Sequence, residues 1–184
     1  CNVIVTDNAS NQGTLPVQFI IDTTAPTLNE VTAVSTPTDN NTPSYTFRSS
    51  EAGTITYGGA CGSSTSSAAS SGDNPVSLTR SDNSTPFSDG TYSDCTIVVT
   101  DPAGNVSDAL DVTSFTVSVP PYLTQVTAVP TATSDNTPDY TFSSTEAGTI
   151  TYGGACGSLT SSAATSGDNT VTLTKPDNVT ELDD

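Results

Sequence analysis

Four cysteines have the most predictable chemistry in this sequence: Cys1, Cys61, Cys95 and Cys156. The chain has no histidine and no Cys-x-x-Cys pair, so a zinc site lacks its usual ligands. Disulfides are the alternative, and they indicate an oxidising compartment outside the cytosol. Cys61 follows the end of one predicted strand, and Cys95 faces inward on another. We therefore expect a Cys61–Cys95 disulfide.

Three aspartates, Asp7, Asp22 and Asp101, lie in predicted turns near domain ends. Carboxylates combined with backbone carbonyls are the ligands that Ca²⁺ prefers, so these residues predict a calcium site. The alternative is that they cap turns and bind no cation, since the sequence has no Asp-x-Asp-x-Asp loop. No other cofactor is expected.

Residues for catalysis are scarce. A serine or cysteine nucleophile has no ordinary base here, because histidine is absent and the first lysine is Lys175. Carboxylate pairs can serve glycoside hydrolysis, but Glu51 and Glu146 lie in turns that recur along the chain. A catalytic site has no reason to recur in this way, so we expect no enzyme.

The charge balance excludes two classes of partner. The net charge of -17 arises mainly because only 3 of the 184 residues are Lys or Arg. Nucleic acid is not an expected partner, because almost nothing can neutralise its phosphates. An anionic membrane surface is repelled for the same reason, and we expect no membrane insertion in this segment.

An internal repeat organises the sequence. Residues 30–89 and 125–184 are identical at 42 of 60 positions, with an offset of 95 residues. Cys1 and the residues after it match the segment that starts at Cys95. We therefore expect three parts: the C-terminal strands of one repeat at 1–27, a complete repeat at 28–121, and the N-terminal strands of the next at 122–184.

Apolar residues alternate with polar ones in about seven short segments of the complete repeat, which predicts an all-β antiparallel sandwich. A further strand is predicted over 17–21, and the polar segment 62–74 is predicted to be a loop or an irregular edge of the sheet. The predicted strands of the complete repeat include 28–34, 43–48, 54–57, 91–101 as the longest, and 106–119 with a bulge.

Several runs resemble the immunoglobulin-like tandem repeats of very large bacterial secreted or surface proteins. They are Asp-Asn-Thr-Pro at 135–138, Glu-Ala-Gly-Thr-Ile-Thr-Tyr-Gly-Gly at 51–59, and Gly-Thr-Tyr-Ser-Asp-Cys-Thr-Ile-Val-Val-Thr-Asp-Pro-Ala-Gly-Asn at 90–105. The resemblance covers the whole chain and implies an immunoglobulin-like sandwich of about 95 residues per repeat. It also implies an extracellular location at the cell surface, in an adhesin stalk or filament.

The expected function is a structural repeat segment of a long extracellular bacterial protein. The alternative is a module that binds glycan or protein through loops 62–74 and 157–169, although these loops have no aromatic residue to stack on a sugar. If most repeats are spacers, a surface glycan or protein ligand binds elsewhere in the full-length protein.

The two partial repeats complement each other. We expect Val3, Val5, Val17, Phe19 and Ile21 to be exposed at one end, and Tyr140, Phe142, Ile150, Tyr152, Val171 and Leu173 at the other. Cys1 is then expected beside Cys156 of a neighbouring copy or repeat, joined head to tail. Covalent continuation and strand donation between subunits both remain open.

Overall fold

The computed structural model describes residues 1–65, 67–160 and 162–182, which form strands, turns and irregular segments without helix. None of the described residues lies in a helix that could span a bilayer. The chain divides into two compact units, Cys1–Val119 and a second unit that begins at Pro120. The strands of the first unit are β1 (Asn2–Thr6), β2 (Gln12–Pro16), β3 (Leu28–Thr32), β4 (Ser44–Ser49), β5 (Gly53–Gly58), β6 (Cys61–Ser63), β7 (Ala68–Ala69), β8 (Gly72–Arg80), β9 (Gly90–Tyr92), β10 (Thr96–Thr100), β11 (Leu110–Asp111) and β12 (Phe115–Val117).

Two four-stranded antiparallel sheets dominate the first unit in a sandwich-like arrangement. Their strand orders are β3-β4-β8-β6 and β11-β10-β5-β7, and β9 pairs separately with β12. The predicted all-β antiparallel architecture is therefore confirmed. Each sheet turns one face toward a shared core, as the period of two along the strands requires.

Alternating side chains from both sheets build this core. Tyr45 and Phe47 of β4 are fully buried, as are Leu78 of β8 and Ile97 and Val99 of β10. The residues between them on the same strands are more exposed. At one end of the unit, the rings of Phe87, Tyr92 and Phe115 pack together with centroid separations of 4.3 to 5.5 Å.

The hairpin β1–β2 belongs to the first unit but is exposed along its whole length. Its turn is closed by Asp7, whose backbone N–H donates to the Asn11 carbonyl at 2.9 Å. The predicted strand over 17–21 was wrong, because these residues form no strand. The side chains of Val17, Phe19 and Ile21 are exposed, as predicted.

The second unit repeats only part of this plan. It contains β13 (Leu123–Thr127), β14 (Asp139–Ser144), β15 (Gly148–Thr149), β16 (Gly157–Ser158), β17 (Ala163–Ala164) and β18 (Gly167–Thr174). One sheet has the order β13-β14-β18-β16, and β15 pairs with β17 alone. The prediction of exposed apolar side chains in this unit was wrong: Phe142 and Val171 are buried, and Tyr140, Ile150, Tyr152 and Leu173 are half-buried.

Three further predictions about elements were wrong. The segment 106–119 is not one strand with a bulge, because β11 and β12 are separate strands in different sheets. The segment 91–101 is not one long strand, because β9 and β10 lie in different sheets, and the longest strand is β8. The segment 62–74 is not wholly irregular. It contains β7 and parts of β6 and β8. β7 pairs with β5, β6 pairs with β8, and β8 pairs with β4.

Candidate functional site

The predicted disulfide between Cys61 and Cys95 is present, with Cα atoms 5.1 Å apart. Cys61 begins β6 in one sheet and Cys95 immediately precedes β10 in the other, so the bond ties the two sheets together. Both residues are only 2% exposed. Cys1 is an exposed free thiol and Cys156 a partly buried one. Their pairing with neighbouring copies remains a prediction.

Three carboxylates of the first unit lie close together: those of Asp22, Glu51 and Asp101, each with one oxygen within 4.8 Å of the others. The structure thus brings together two of the three aspartates predicted to bind calcium. Asp7 is not a member of this group. Glu51 is a member that sequence reasoning placed only in a repeated turn, since nothing in the local pattern brings it near Asp22 or Asp101.

Hydrogen bonds already account for part of this arrangement. Asp101 accepts hydrogen bonds from the backbone N–H of Asn105 at 2.8 Å and from its side-chain amide at 2.9 Å. These bonds, the side-chain amide foremost, lower the pKa of Asp101. Asp7 accepts the same pair from Asn11 at 2.8 and 2.9 Å, and its pKa is lowered for the same reason. Both aspartates therefore cap turns.

The cluster can nevertheless supply three carboxylate ligands to a divalent cation. Calcium takes six to eight oxygens, so about half of the shell would come from backbone carbonyls and water. The Asp22 carbonyl lies nearby, where it accepts a 3.2 Å hydrogen bond from the Asn105 amide. Calcium binding at Asp22 and Asp101 remains a prediction, and Glu51 is the residue that the structure adds to it.

A polar groove of about 630 Å³ lies in the first unit, where Tyr57, Ser63 and Thr65 line it together with Asn83. A groove of about 450 Å³ lies in the second unit at matching positions, lined among others by Tyr152, Ser158, Thr160 and Asn178. Tyr57 belongs to the neighbouring strand β5, so the pattern of the loop 62–74 gave no signal for it.

The same hydrogen bonds shape both grooves. The Asn83 side-chain oxygen accepts from the Ser63 N–H at 3.1 Å, and Asn178 accepts from Ser158 at 3.0 Å. The Ser63 hydroxyl donates to the Ser77 carbonyl at 2.8 Å, and Ser158 donates to Thr172 at 2.7 Å. Burial raises the pKa of the Tyr57 hydroxyl above its ordinary value.

The two glutamates weighed for catalysis hold turns in place. The Ser49 hydroxyl donates to the Glu51 carbonyl at 2.6 Å, and the Ser144 hydroxyl donates to the Glu146 carbonyl at 2.7 Å. Each bond closes the bend at the end of a strand in its own unit. The absence of enzymatic activity remains a prediction.

No family model, no curated protein and no solved structure matches this chain. The fold and the cross-sheet bond define its class from the structure alone: an all-β, sandwich-like protein with a disulfide between its sheets.

Proposed function

We propose that the chain is a structural repeat segment of a long extracellular bacterial protein, part of an adhesin stalk or cell-surface filament. The observation that carries this proposal is the repetition of one hydrogen-bonded frame in both units. Asn74 bridges the Ser70 backbone with bonds of 2.8 and 2.9 Å, and Asn169 bridges Thr165 with bonds of the same lengths. The features that both copies retain are hydrogen bonds that hold the fold together. This is expected of repeats that act as structural spacers.

The strand orders support an immunoglobulin-like sandwich as the repeated fold. An A-B-E-D sheet facing a sheet that contains C, F and G is the arrangement of immunoglobulin constant domains. The order β3-β4-β8-β6 corresponds to A-B-E-D, and β11-β10-β5 corresponds to G-F-C. The repeat length of about 95 residues agrees with the size of such domains.

The disulfide and the charge support an extracellular location. Disulfides persist in oxidising compartments, and Cys61–Cys95 is fully buried between the sheets. A net charge of -17 with only 3 basic residues keeps neighbouring repeats soluble and mutually repelling. An array of similar domains needs this repulsion to prevent neighbouring copies from associating with one another.

The location is tested with antibodies raised against the 184-residue chain. We expect them to label intact cells of the producing organism, and we expect mild protease treatment of those cells to remove the label. An antibody against a cytosolic protein, which should label only permeabilised cells, is the control. Labelling by the chain-specific antibody only after permeabilisation would contradict the proposal.

A spacer also has no catalytic turnover. We expect the purified chain to release no product from panels of glycosides, esters and peptides. The Glu51→Gln variant, which removes the one carboxylate in the repeated turn of the first unit, should behave identically. A hydrolytic activity that this variant loses would show an enzyme instead.

A binding module is the second candidate, and the recurrence of the groove in both units favours it. Ser64 is exposed at the rim of the groove in the first unit, so Ser64→Arg would obstruct it without touching the core. Ser84→Arg, on an exposed turn outside the groove, is the matched control. Glycan or protein binding that only Ser64→Arg abolishes would establish this alternative.

A further inference from the structure

The hairpin β1–β2 matches β10–β11 at its turn and at its open end. In both hairpins an aspartate opens the turn: Asp7 N–H donates to Asn11 at 2.9 Å, and Asp101 N–H donates to Asn105 at 3.0 Å. The hairpins also close alike, since Val17 N–H donates to the Cys1 carbonyl and Val112 N–H to the Cys95 carbonyl at 2.7 and 2.9 Å. Val3 and Val5 therefore occupy the positions of Ile97 and Val99.

Equivalent side chains have opposite environments in the two hairpins. Ile97 and Val99 are 0% exposed, because β10 pairs with β5 and faces the core. Val3 and Val5 are 52% and 70% exposed. The sequence thus retains core residues on a hairpin that covers no core within the described chain.

The second unit lacks a strand equivalent to β10 among its described residues. Residues 53–58 and 148–153 have the identical sequence Gly-Thr-Ile-Thr-Tyr-Gly, yet all six form β5 in the first unit and only the first two form β15 in the second. Local sequence cannot cause this difference. The first unit has β10 beside this segment, and no described strand occupies that edge in the second unit.

The glycines of this segment mark where a strand should lie. A Cβ on Gly53 would collide with the Thr100 carbonyl, one on Gly58 with the Thr96 hydroxyl, and one on Gly59 with the Asp94 carbonyl. These three glycines therefore make room for β10 and for Asp94, two residues before it. Their counterparts Gly148, Gly153 and Gly154 have nothing within 4 Å of such a Cβ.

We propose that β1–β2 of one chain docks on this open edge of the second unit in another copy of the chain. The β10–β5 ladder fixes the register, because Ile97 lies opposite Tyr57 and Val99 opposite Ile55. Val3 then lies opposite Tyr152, and Val5 opposite Ile150. Only one charged side chain, Asp7, lies within residues 1–21, so the docking segment adds little repulsion to an acidic partner.

This register places two free thiols together. Cys1 corresponds to Cys95 and Cys156 corresponds to Cys61, whose Cα atoms are 5.1 Å apart in the disulfide. With glutathione disulfide as oxidant, the Cys1 and Cys156 thiols form one new sulfur–sulfur bond. The sulfur–sulfur bond of glutathione disulfide breaks in the same reaction. The oxidant takes up the two electrons and two protons and is released as two molecules of glutathione thiol.

The inference rests on the proposed structural role, because it names how one segment joins the next. The two can fail separately. A chain that never cross-links would overturn the docking, whereas surface labelling of cells tests the structural role without it. Repeated docking at both ends would generate an open chain of copies, since head-to-tail contacts that do not close give filaments.

The test uses two variants of the full chain, Cys1→Ser and Cys156→Ser, incubated with glutathione disulfide and separated on non-reducing gels. Each variant alone should remain monomeric, and an equimolar mixture should give a covalent dimer that contains one of each. The unmodified chain should give a ladder of multimers. A Cys1–Cys156 bond within one chain, or homodimers of a single variant, would overturn the proposal.

Two further variants test the docking surface itself. Val5→Asp should slow cross-linking by about tenfold or more, because it places a charge in the buried ladder. Val31→Asp, on an exposed valine of β3 outside this surface, should leave the rate unchanged. Equal rates for both variants would show random thiol oxidation. In the mixture, hydrogen exchange at 150–153 should slow as these residues join the ladder.

Discussion

Among individual residues, the two bonded cysteines make a contribution to stability that substitution can remove. The disulfide closes a loop with a sequence separation of 34 residues. In the chain-entropy model, a loop of this length stabilises a fold by about 4 kcal/mol. The bond also joins the two sheets directly, so its removal affects the sandwich as a whole.

We predict that the double variant Cys61→Ala/Cys95→Ala lowers the free energy of unfolding of the first unit by about 4 kcal/mol. Urea denaturation followed by circular dichroism measures this change. The double variant Cys1→Ser/Cys156→Ser is the control and should leave the midpoint of the monomer unchanged. A loss below about 1 kcal/mol would show that the bond constrains little in the unfolded chain.

Aspartates in tight turns make stability depend on pH. Asp82 accepts hydrogen bonds from the Thr85 hydroxyl, from the Thr85 N–H at 2.7 Å and from the Ser84 N–H at 2.9 Å. These bonds lower the pKa of Asp82 to about 2. Asp177 has the same bonds in the second unit, and its pKa is also lowered to about 2. The second unit therefore repeats both the hydrogen bonds of this turn and the lowered pKa of its aspartate.

We predict that the Asp82 carboxylate stabilises the first unit above pH 3.8, its ordinary pKa, and that this contribution is lost as the pH falls toward 2. The sign follows because the folded state holds the proton less tightly than the unfolded state. Asp82→Asn should therefore flatten the decline of the urea midpoint over this range. Asp108→Asn, an exposed aspartate outside the turn, should flatten it less, and an equal effect would contradict the assignment.

The calcium prediction is tested at the same scale. If Asp22, Glu51 and Asp101 bind calcium, millimolar Ca²⁺ should raise the melting temperature of the chain, because a ligand that binds only the folded state stabilises it. Removal with a chelator should reverse the shift, and Glu51→Gln should reduce it. Glu146→Gln, at the matching turn of the second unit, is the control. No shift would leave these aspartates as turn caps.

At the scale of elements, alternation of residue types predicted β4 and β5 well. It failed at 91–101, because Asp94 turns the chain from one sheet to the other, where its carboxylate accepts a hydrogen bond from the Ala60 N–H at 3.3 Å. A local pattern carries no information about such a crossing. The alternation pattern also failed at 17–21, for a related reason. An apolar segment forms a β-strand only where a neighbouring strand can pair with it.

The carboxylate cluster shows the same limit. Asp22 and Asp101 lie in turns that sequence reasoning could identify, but their approach to Glu51 depends on how β5 and β10 pair. Such contacts join positions far apart in the chain. The repeat itself offers no signal, because the residues that match Asp22 at the next junction are not acidic.

The equivalent strands β10 and β1 give a paired prediction. Val99→Ala removes two methyl groups from a side chain with 0% exposure, so it should destabilise the first unit by about 2 kcal/mol. Val5→Ala, at the equivalent position with 70% exposure, should change the stability of the monomer by less than about 0.5 kcal/mol. Urea denaturation of dilute, reduced chains measures both. Equal losses would show that β1 is already packed in the monomer.

At the scale of the whole molecule, the two units differ in how much core they hold. The first unit has a cluster of 15 buried apolar residues, whereas Phe142 and Val171 are the buried apolar residues in the described part of the second. Because burial of apolar surface is the main favourable term in folding, the second unit should be much the less stable. The disulfide widens this gap, since it lies in the first unit alone.

We therefore predict two separate transitions in urea for the monomeric chain, with the second unit unfolding first. Hydrogen exchange should assign the early transition to residues after Pro120 and the late one to 28–119. A reducing agent should move only the late transition, because it breaks Cys61–Cys95 and the second unit contains no bond of this kind among its described residues. Val171→Ala should move only the early one. A single transition that all probes report together would show that the units fold as one, and the repeat would then be a feature of the sequence without independent domains.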